Sequence, residues 1–271
     1  MSQFDTHARR GAIGLKQSSI SMVLSIGLLF LPVLAAQDVP SQVLTPPPVR
    51  DAQRLKTGVL IYHDLDHGKE VGRGTITIRK LTDSGNYDIS NDATFDTDFA
   101  GFRSQRWEAV TTSTFEPVSA TLAFVRGSDT VPVFNLRYAS GRVTGFFVDR
   151  NGPSPGTKQP VDASVPANTV DQRIDWAAVL SSNLETGKQF DFNVYDPKTG
   201  ISRVTGKVGP LEQVQVPAGA FYAYRVIYQM EKAGRTEHYQ MLASQDSPRI
   251  MLREEFPNGV ITELVHVTKL H

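Results

Sequence analysis

The 271-residue chain contains no cysteine. Disulfides, thiolate zinc sites, iron–sulfur clusters and cysteine nucleophiles are therefore excluded. Charge of one sign is lacking as well, since 28 Lys and Arg face 28 Asp and Glu. A nucleic-acid-binding surface of the usual kind carries clustered Lys and Arg, and none is expected here. No phosphate loop or dinucleotide glycine pattern follows any strand-like run, and alternating helices are missing, so a doubly wound nucleotide-binding fold is ruled out. The hydrolase signatures Gly-x-Ser-x-Gly and His-Glu-x-x-His are also absent. Nothing points to an enzyme or to a cofactor.

What is present begins with an export signal. Arg9, Arg10 and Lys16 precede an apolar stretch from Ile20 to Leu31, and Pro32-Val33-Leu34-Ala35-Ala36 follows with small residues suited to a signal peptidase. The spacing predicts a signal peptide over residues 1–36, cleaved near Ala36. Without a cysteine, lipoprotein acylation at that boundary is closed off. Arg9-Arg10 invites a twin-arginine reading, although Gly11-Ala12-Ile13 follows in place of the expected polar and aromatic pattern. Loss of the signal removes three basic residues and Asp5, leaving a nearly neutral chain. A chain of that size without disulfides in an oxidising compartment relies on its hydrophobic core. This fits the periplasm or cell envelope of a bacterium.

Residues 37–54 include Pro46-Pro47-Pro48 and read as a proline-rich tether. From residue 55 onward the apolar residues recur with period two, as in Thr75-Ile76-Thr77-Ile78-Arg79, the signature of half-buried strands. Asp66-His67-Gly68 and Ser140-Gly141 mark tight hairpins. A segment rich in Pro and Gly over 150–168 reads as a long loop. One helix is predicted over Gln172–Leu184, with Trp176, Ala177, Leu180 and Leu184 as its apolar stripe and Gly187 beyond its end. About fourteen short strands and one covering helix specify an all-β, mainly antiparallel fold, either a curved sheet or open barrel or a sandwich. Residues 55–271 are expected to form a single β-rich domain.

Chemistry-bearing clusters are few. His63-Asp64-Leu65-Asp66-His67 has the residue types of a metal site, but its two histidines are far apart along an extended strand. The competing reading is a solvated hairpin. Asp88, Asp92, Asp96 and Asp98 share one parity of a strand, which reads as a wet face rather than a calcium loop. The run Phe221–Met230 is richer in aromatics: Tyr222, Tyr224, Tyr228 and Met230 alternate onto one face. Such a face either packs the core or forms a concave wall for an apolar ligand.

Three segments in fixed order carry a family resemblance. They are Asp175–Val194, the Val214–Phe221 passage running into Tyr224-Arg225-Val226, and the tail Ser244-Gln245-Asp246-Ser247-Pro248-Arg249 leading to Ile261-Thr262-Glu263-Leu264. Over about residues 55–268 the chain resembles the exported bacterial family DUF3108. The tryptophan usual before the tail is replaced by the Met241-Leu242 stretch. The resemblance implies an exported, β-rich, curved-sheet domain similar in kind to periplasmic lipoprotein carriers, and it assigns no catalytic residue. The expected function is a periplasmic binding module for an apolar or lipid-like ligand, with Tyr222, Tyr224, Tyr228 and Met230 as ligand-binding residues. The alternative is an interaction protein of the envelope with a packed core and no ligand.

Overall fold

A computed structural model describes residues 49–99, 102–149, 156–232 and 234–268. The export signal and most of the tether lie outside the described residues. Fifteen strands form one sheet among them: β1 (Gly58–Asp66), β2 (Lys69–Lys80), β3 (Tyr87–Phe99), β4 (Phe102–Thr111), β5 (Pro117–Arg126), β6 (Asp129–Ala139), β7 (Arg142–Val148) and β8 (Lys158–Ser164) on one side of its middle, and β9 (Thr169–Asp171), β10 (Gln189–Asp196), β11 (Gly200–Val216), β12 (Gly219–Lys232), β13 (Arg235–Ser244), β14 (Met251–Glu255) and β15 (Ile261–Thr268) on the other. The chain starts at the middle and meanders outward from β1 to β8. It then crosses to the opposite edge at β9 and meanders back until β15 pairs with β1. All pairings are antiparallel except β9 with β10.

This order has a geometric consequence. β8 and β9 are the two edges of the sheet, yet only residues 165–168 separate them in sequence. Four extended residues span no more than about 14 Å, so the sheet must roll until its edges approach. No ladder joins β8 to β9 among the described residues; β9 instead lies against β5. Tyr138 of β6 donates to Asp171 of β9 at 2.6 Å across that overlap. The roll is barrel-like and closes by face packing and this side-chain bond rather than by a backbone ladder.

Local sequence sets the hairpins. His67 and Gly68 both take positive φ (49° and 77°), as do Ser140 and Gly141 (50° and 71°). Two consecutive left-handed residues match the twist of flanking strands, so each two-residue turn fixes register on both arms. The expected loop over 150–168 contains a strand instead, namely β8. Its alternation is hard to see because only Val161 and Ala163 face inward, and Pro160 is tolerated where a strand forms an edge. β11 runs unbroken through Gly209-Pro210, where it is bulged against β12.

The helix is shorter than its apolar pattern suggested. A 3-10 turn over Gln172–Ile174 leads into α1 (Asp175–Ser181). All seven residues of α1 are buried, so it is a plug inside the roll rather than an amphipathic cover. Ala177 and Ala178 let the surrounding walls come close, and burying Trp176, Val179 and Leu180 each contributes about 1.5–3 kcal/mol. Its C-terminal carbonyls are capped from outside the helix. Arg249 donates through Nη1 to the carbonyls of Leu180 (2.9 Å) and Ser182 (2.7 Å), and Asp51 N donates to Ser181 O. A guanidinium placed there also opposes the negative end of the helix dipole. The residues after Val49 thus join the core: Arg50, Ala52 and Leu55 are all buried, although the sequence read as tether up to residue 54.

Candidate functional site

Inside the roll, α1 does not fill the space available. A half-enclosed cavity of about 700 Å³ remains between the β1–β4 wall, the β13–β15 wall and the start of α1. Its sides combine aromatic and aliphatic side chains, Trp107, Trp176, Phe95, Phe256, Ile76 and Met251 among them, with polar ones such as Asp64, Gln105 and Thr262. Buried Tyr62, Asp175 and Glu254 make its floor, and exposed Asn258 marks its mouth. Gly74 helps create the space. A side chain on that residue would meet the Asn91 amide at 3.0 Å.

The alternation of each wall explains who faces in. On β1, Leu60 and Tyr62 point inward; Tyr62 donates its hydroxyl hydrogen to Met251 O at 2.9 Å, tying β1 to β14 across β15. On β3, Asn91, Ala93 and Phe95 line the cavity, while Asp88 and Asp92 point outward to Arg79 and Arg106. Asp88 and Asp92 therefore serve as cross-strand ion pairs on the face opposite the cavity. His63 also faces outward, between Glu263 (3.2 Å) and Glu70 (3.7 Å), and His67 is almost fully exposed at the hairpin tip. Among the described residues, no group of three His, Asp or Glu side chains is placed to hold a metal ion.

Two carboxyls on the floor stand apart chemically. Asp175 is 9% exposed and Glu254 is 4% exposed. Burial, which penalises the charged form, pushes the Asp175 carboxyl up to about 7 and the Glu254 carboxyl up to about 8; the charge of Asp175 raises Glu254 further. Each has one partner. Trp176 N donates to Asp175 Oδ1 at 2.7 Å, and the Tyr228 hydroxyl donates to Glu254 Oε1. Arg173, also on the lining, is already engaged: it donates to Asp171 and to Asp196 (2.8 Å), and its guanidinium lies over the Phe134 ring. It locks the 3-10 turn to β9 and β10 and leaves the two floor carboxyls without a counter-ion of their own.

Of the four residues expected to form one ligand wall, the structure brings two near this cavity. Tyr228 stands directly behind it: its hydroxyl reaches Glu254 and its ring stacks on Tyr239, a lining residue, at 5.0 Å. Met230 is fully buried two residues on, in the core. Tyr224 is half-buried, and Tyr222 is 59% exposed beside a second, smaller recess. The single face does not hold along the strand, because β12 is paired with β13 only from Ala223 onward; Gly219–Tyr222 continue as the tip of the β11–β12 hairpin. The pair that sequence reasoning missed is Asp175 and Glu254. A carboxyl at the first position of a helix reads as an ordinary cap, and Glu254 sits in a mixed run with Arg253 and Glu255.

A family model, described as a protein of unknown function (DUF3108), matches residues 60–265, which is nearly the whole roll from the inner wall of β1 to β15. The chain belongs to the DUF3108 family. No curated protein matches this DUF3108 chain in sequence. Among solved structures it is similar to a β-barrel-like protein of the DUF1849 family from Brucella abortus, with a TM-score of 0.51 at 10% identity, covering 80% of this chain and 100% of that one. That likeness supports the barrel-like fold of the DUF3108 domain. More distant is a protein from Bacteroides fragilis named for export and for a YmcC-like fold, with a TM-score of 0.34 at 15% identity over 82% of this chain and 100% of that one. A protein from Parabacteroides distasonis named as a lipoprotein gives a TM-score of 0.37 at 12% identity, over 81% and 99%. No helix among the described residues of this DUF3108 protein is long and apolar enough to cross a membrane.

Proposed function

We propose that this DUF3108 protein is an exported binding module of the bacterial envelope that holds an apolar or lipid-like ligand inside its rolled sheet. The carrying observation is the cavity of about 700 Å³, in whose mixed lining apolar surface outweighs polar. Ligand sites have this character: concave, mostly apolar, and furnished with a few convergent polar groups. Export rests on the basic, apolar and small-residue segments of residues 1–36. An interaction protein with a packed core has no use for an interior volume left open beside two buried carboxyls.

Native mass spectrometry of the protein purified gently from an envelope fraction tests this reading, followed by lipid extraction. A near-stoichiometric apolar small molecule is expected to co-purify. A clean apo mass, together with no change in tryptophan fluorescence on adding long-chain alcohols, would count against it.

A further inference from the structure

The fully buried side-chain atoms left unpaired around the cavity are oxygens. Asp175 and Glu254, each at least nine-tenths buried, have one oxygen with a partner and a second with none among the described residues. The side-chain amides of Asn91 and Gln172, also on the lining, bury carbonyl oxygens that no donor reaches. Buried acceptors are ordinarily satisfied, and a group of them facing one open volume calls for a guest that donates. The charges point the same way. Facing the two carboxyls are Tyr62 from β1, Asp171 from β9, Arg173 from the 3-10 turn, Tyr228 and Lys232 from β12, and Tyr239 from β13. Arg173 is committed to Asp171 and Asp196, and Lys232 makes no ion pair with either carboxyl. The floor is an acidic pocket without its cation, beneath walls of Trp, Phe and Met.

We propose that this floor is a site for an ammonium group carried on an apolar chain, so that the ligand class is a long-chain amine or an amphiphile with an amine-bearing head. This rests on reading the cavity as a ligand site and adds the identity of the head group. The ammonium sits between the free oxygens of Asp175 and Glu254, and the chain runs along Trp107 and Trp176 toward the mouth at Asn258. Charge-assisted bonds in such a low-dielectric place are stronger than those between neutral groups. Trp107 and Trp176 are the two tryptophans of the whole chain, so intrinsic fluorescence reports on the cavity directly.

The test is titration of the full chain with dodecylamine, dodecan-1-ol and dodecanoate, followed by tryptophan fluorescence at pH 5.5 and pH 8.5. An alkylammonium stays protonated to about pH 10, as a lysine side chain does, so any pH effect comes from the protein. At pH 8.5 the amine is expected to bind at least tenfold more tightly than the alcohol, and at pH 5.5 the preference should shrink to under threefold. Asp175→Asn and Glu254→Gln should each reduce the preference for the amine over the alcohol. Equal affinity for amine and alcohol at pH 8.5, or a preference for dodecanoate, overturns the head-group assignment and leaves the apolar cavity standing. Binding of none of the three overturns both. Should either variant fail to fold, the pH profile of the unmodified protein decides the matter alone.

Discussion

Tyr228 on β12 donates its hydroxyl hydrogen to Glu254 on β14, reaching past β13, whose Tyr239 is stacked flat on the Tyr228 ring. The strand between the two partners is thus clamped from the cavity floor. That bond favours the charged form of Glu254 and partly opposes the effect of burial. Replacing Tyr228 by Phe is expected to raise the Glu254 pKa further and to destabilise the fold by about 1–3 kcal/mol, the usual cost of leaving a buried acceptor unpaired. Carbon-detected NMR titration of the Glu254 carboxyl and denaturant unfolding measure the two effects. A downward shift of the pKa in that variant would contradict the assigned role.

The floor carboxyls make stability depend on pH in a defined direction. Both have folded-state pKa values above their unfolded values of about 4, so over the interval between those values the native state holds more protons than the unfolded one. Stability is then greatest below about pH 4 with respect to these two groups, falls as pH rises, and has lost their full contribution above about pH 8. Thermal unfolding should therefore show Tm declining from pH 5 to pH 9. Asp175→Asn or Glu254→Gln should flatten that decline and raise Tm at pH 9. A Tm that climbs through this interval in the unmodified protein, and equally so in both variants, would sink the prediction.

Arg173 offers a contrasting case, because it is buried with its counter-ions in place. Arg173→Met would leave Asp171 fully buried without a cationic partner, and the expected loss is about 3–5 kcal/mol. Tyr138, which donates to the same carboxylate, does not replace a charge. Chemical denaturation is the measurement, and a loss under about 1 kcal/mol would contradict this role of the pair.

Gly74 tests the cavity by filling it. Its φ is ordinary for any residue, so a substitution there meets only the Asn91 side chain and the open volume beyond. Gly74→Leu should weaken dodecan-1-ol binding roughly tenfold, about 1.4 kcal/mol, with the fold intact by circular dichroism. Undiminished binding in a folded variant would place the ligand elsewhere.

The strand positions were legible because period-two alternation is a local property. Ile76 and Ile78, or Phe134 and Leu136, announce their inward face without reference to any partner. Turn chemistry was legible for the same reason at His67-Gly68 and Ser140-Gly141. β8 escaped notice because an edge strand has only one neighbour and Val161 and Ala163 suffice for its inward face. Alternation puts Tyr222 on the face of Tyr224, Tyr228 and Met230, but it is silent about where β13 ends, and Tyr222 lies beyond that end.

The sequence by itself determined the all-β class, the tight hairpins, the position of the helix that became α1 and the family. These follow from short-range patterns of polarity, glycine placement and capping. Tertiary structure alone decided that the sheet rolls until β9 lies on β5, that α1 is a plug with every side buried, and that a cavity remains beside it. It also decided that Asp175 and Glu254, 79 positions apart, share one floor. Their chemistry arises from burial and mutual repulsion, which depend on what the rolled sheet excludes from water, and no local pattern encodes that.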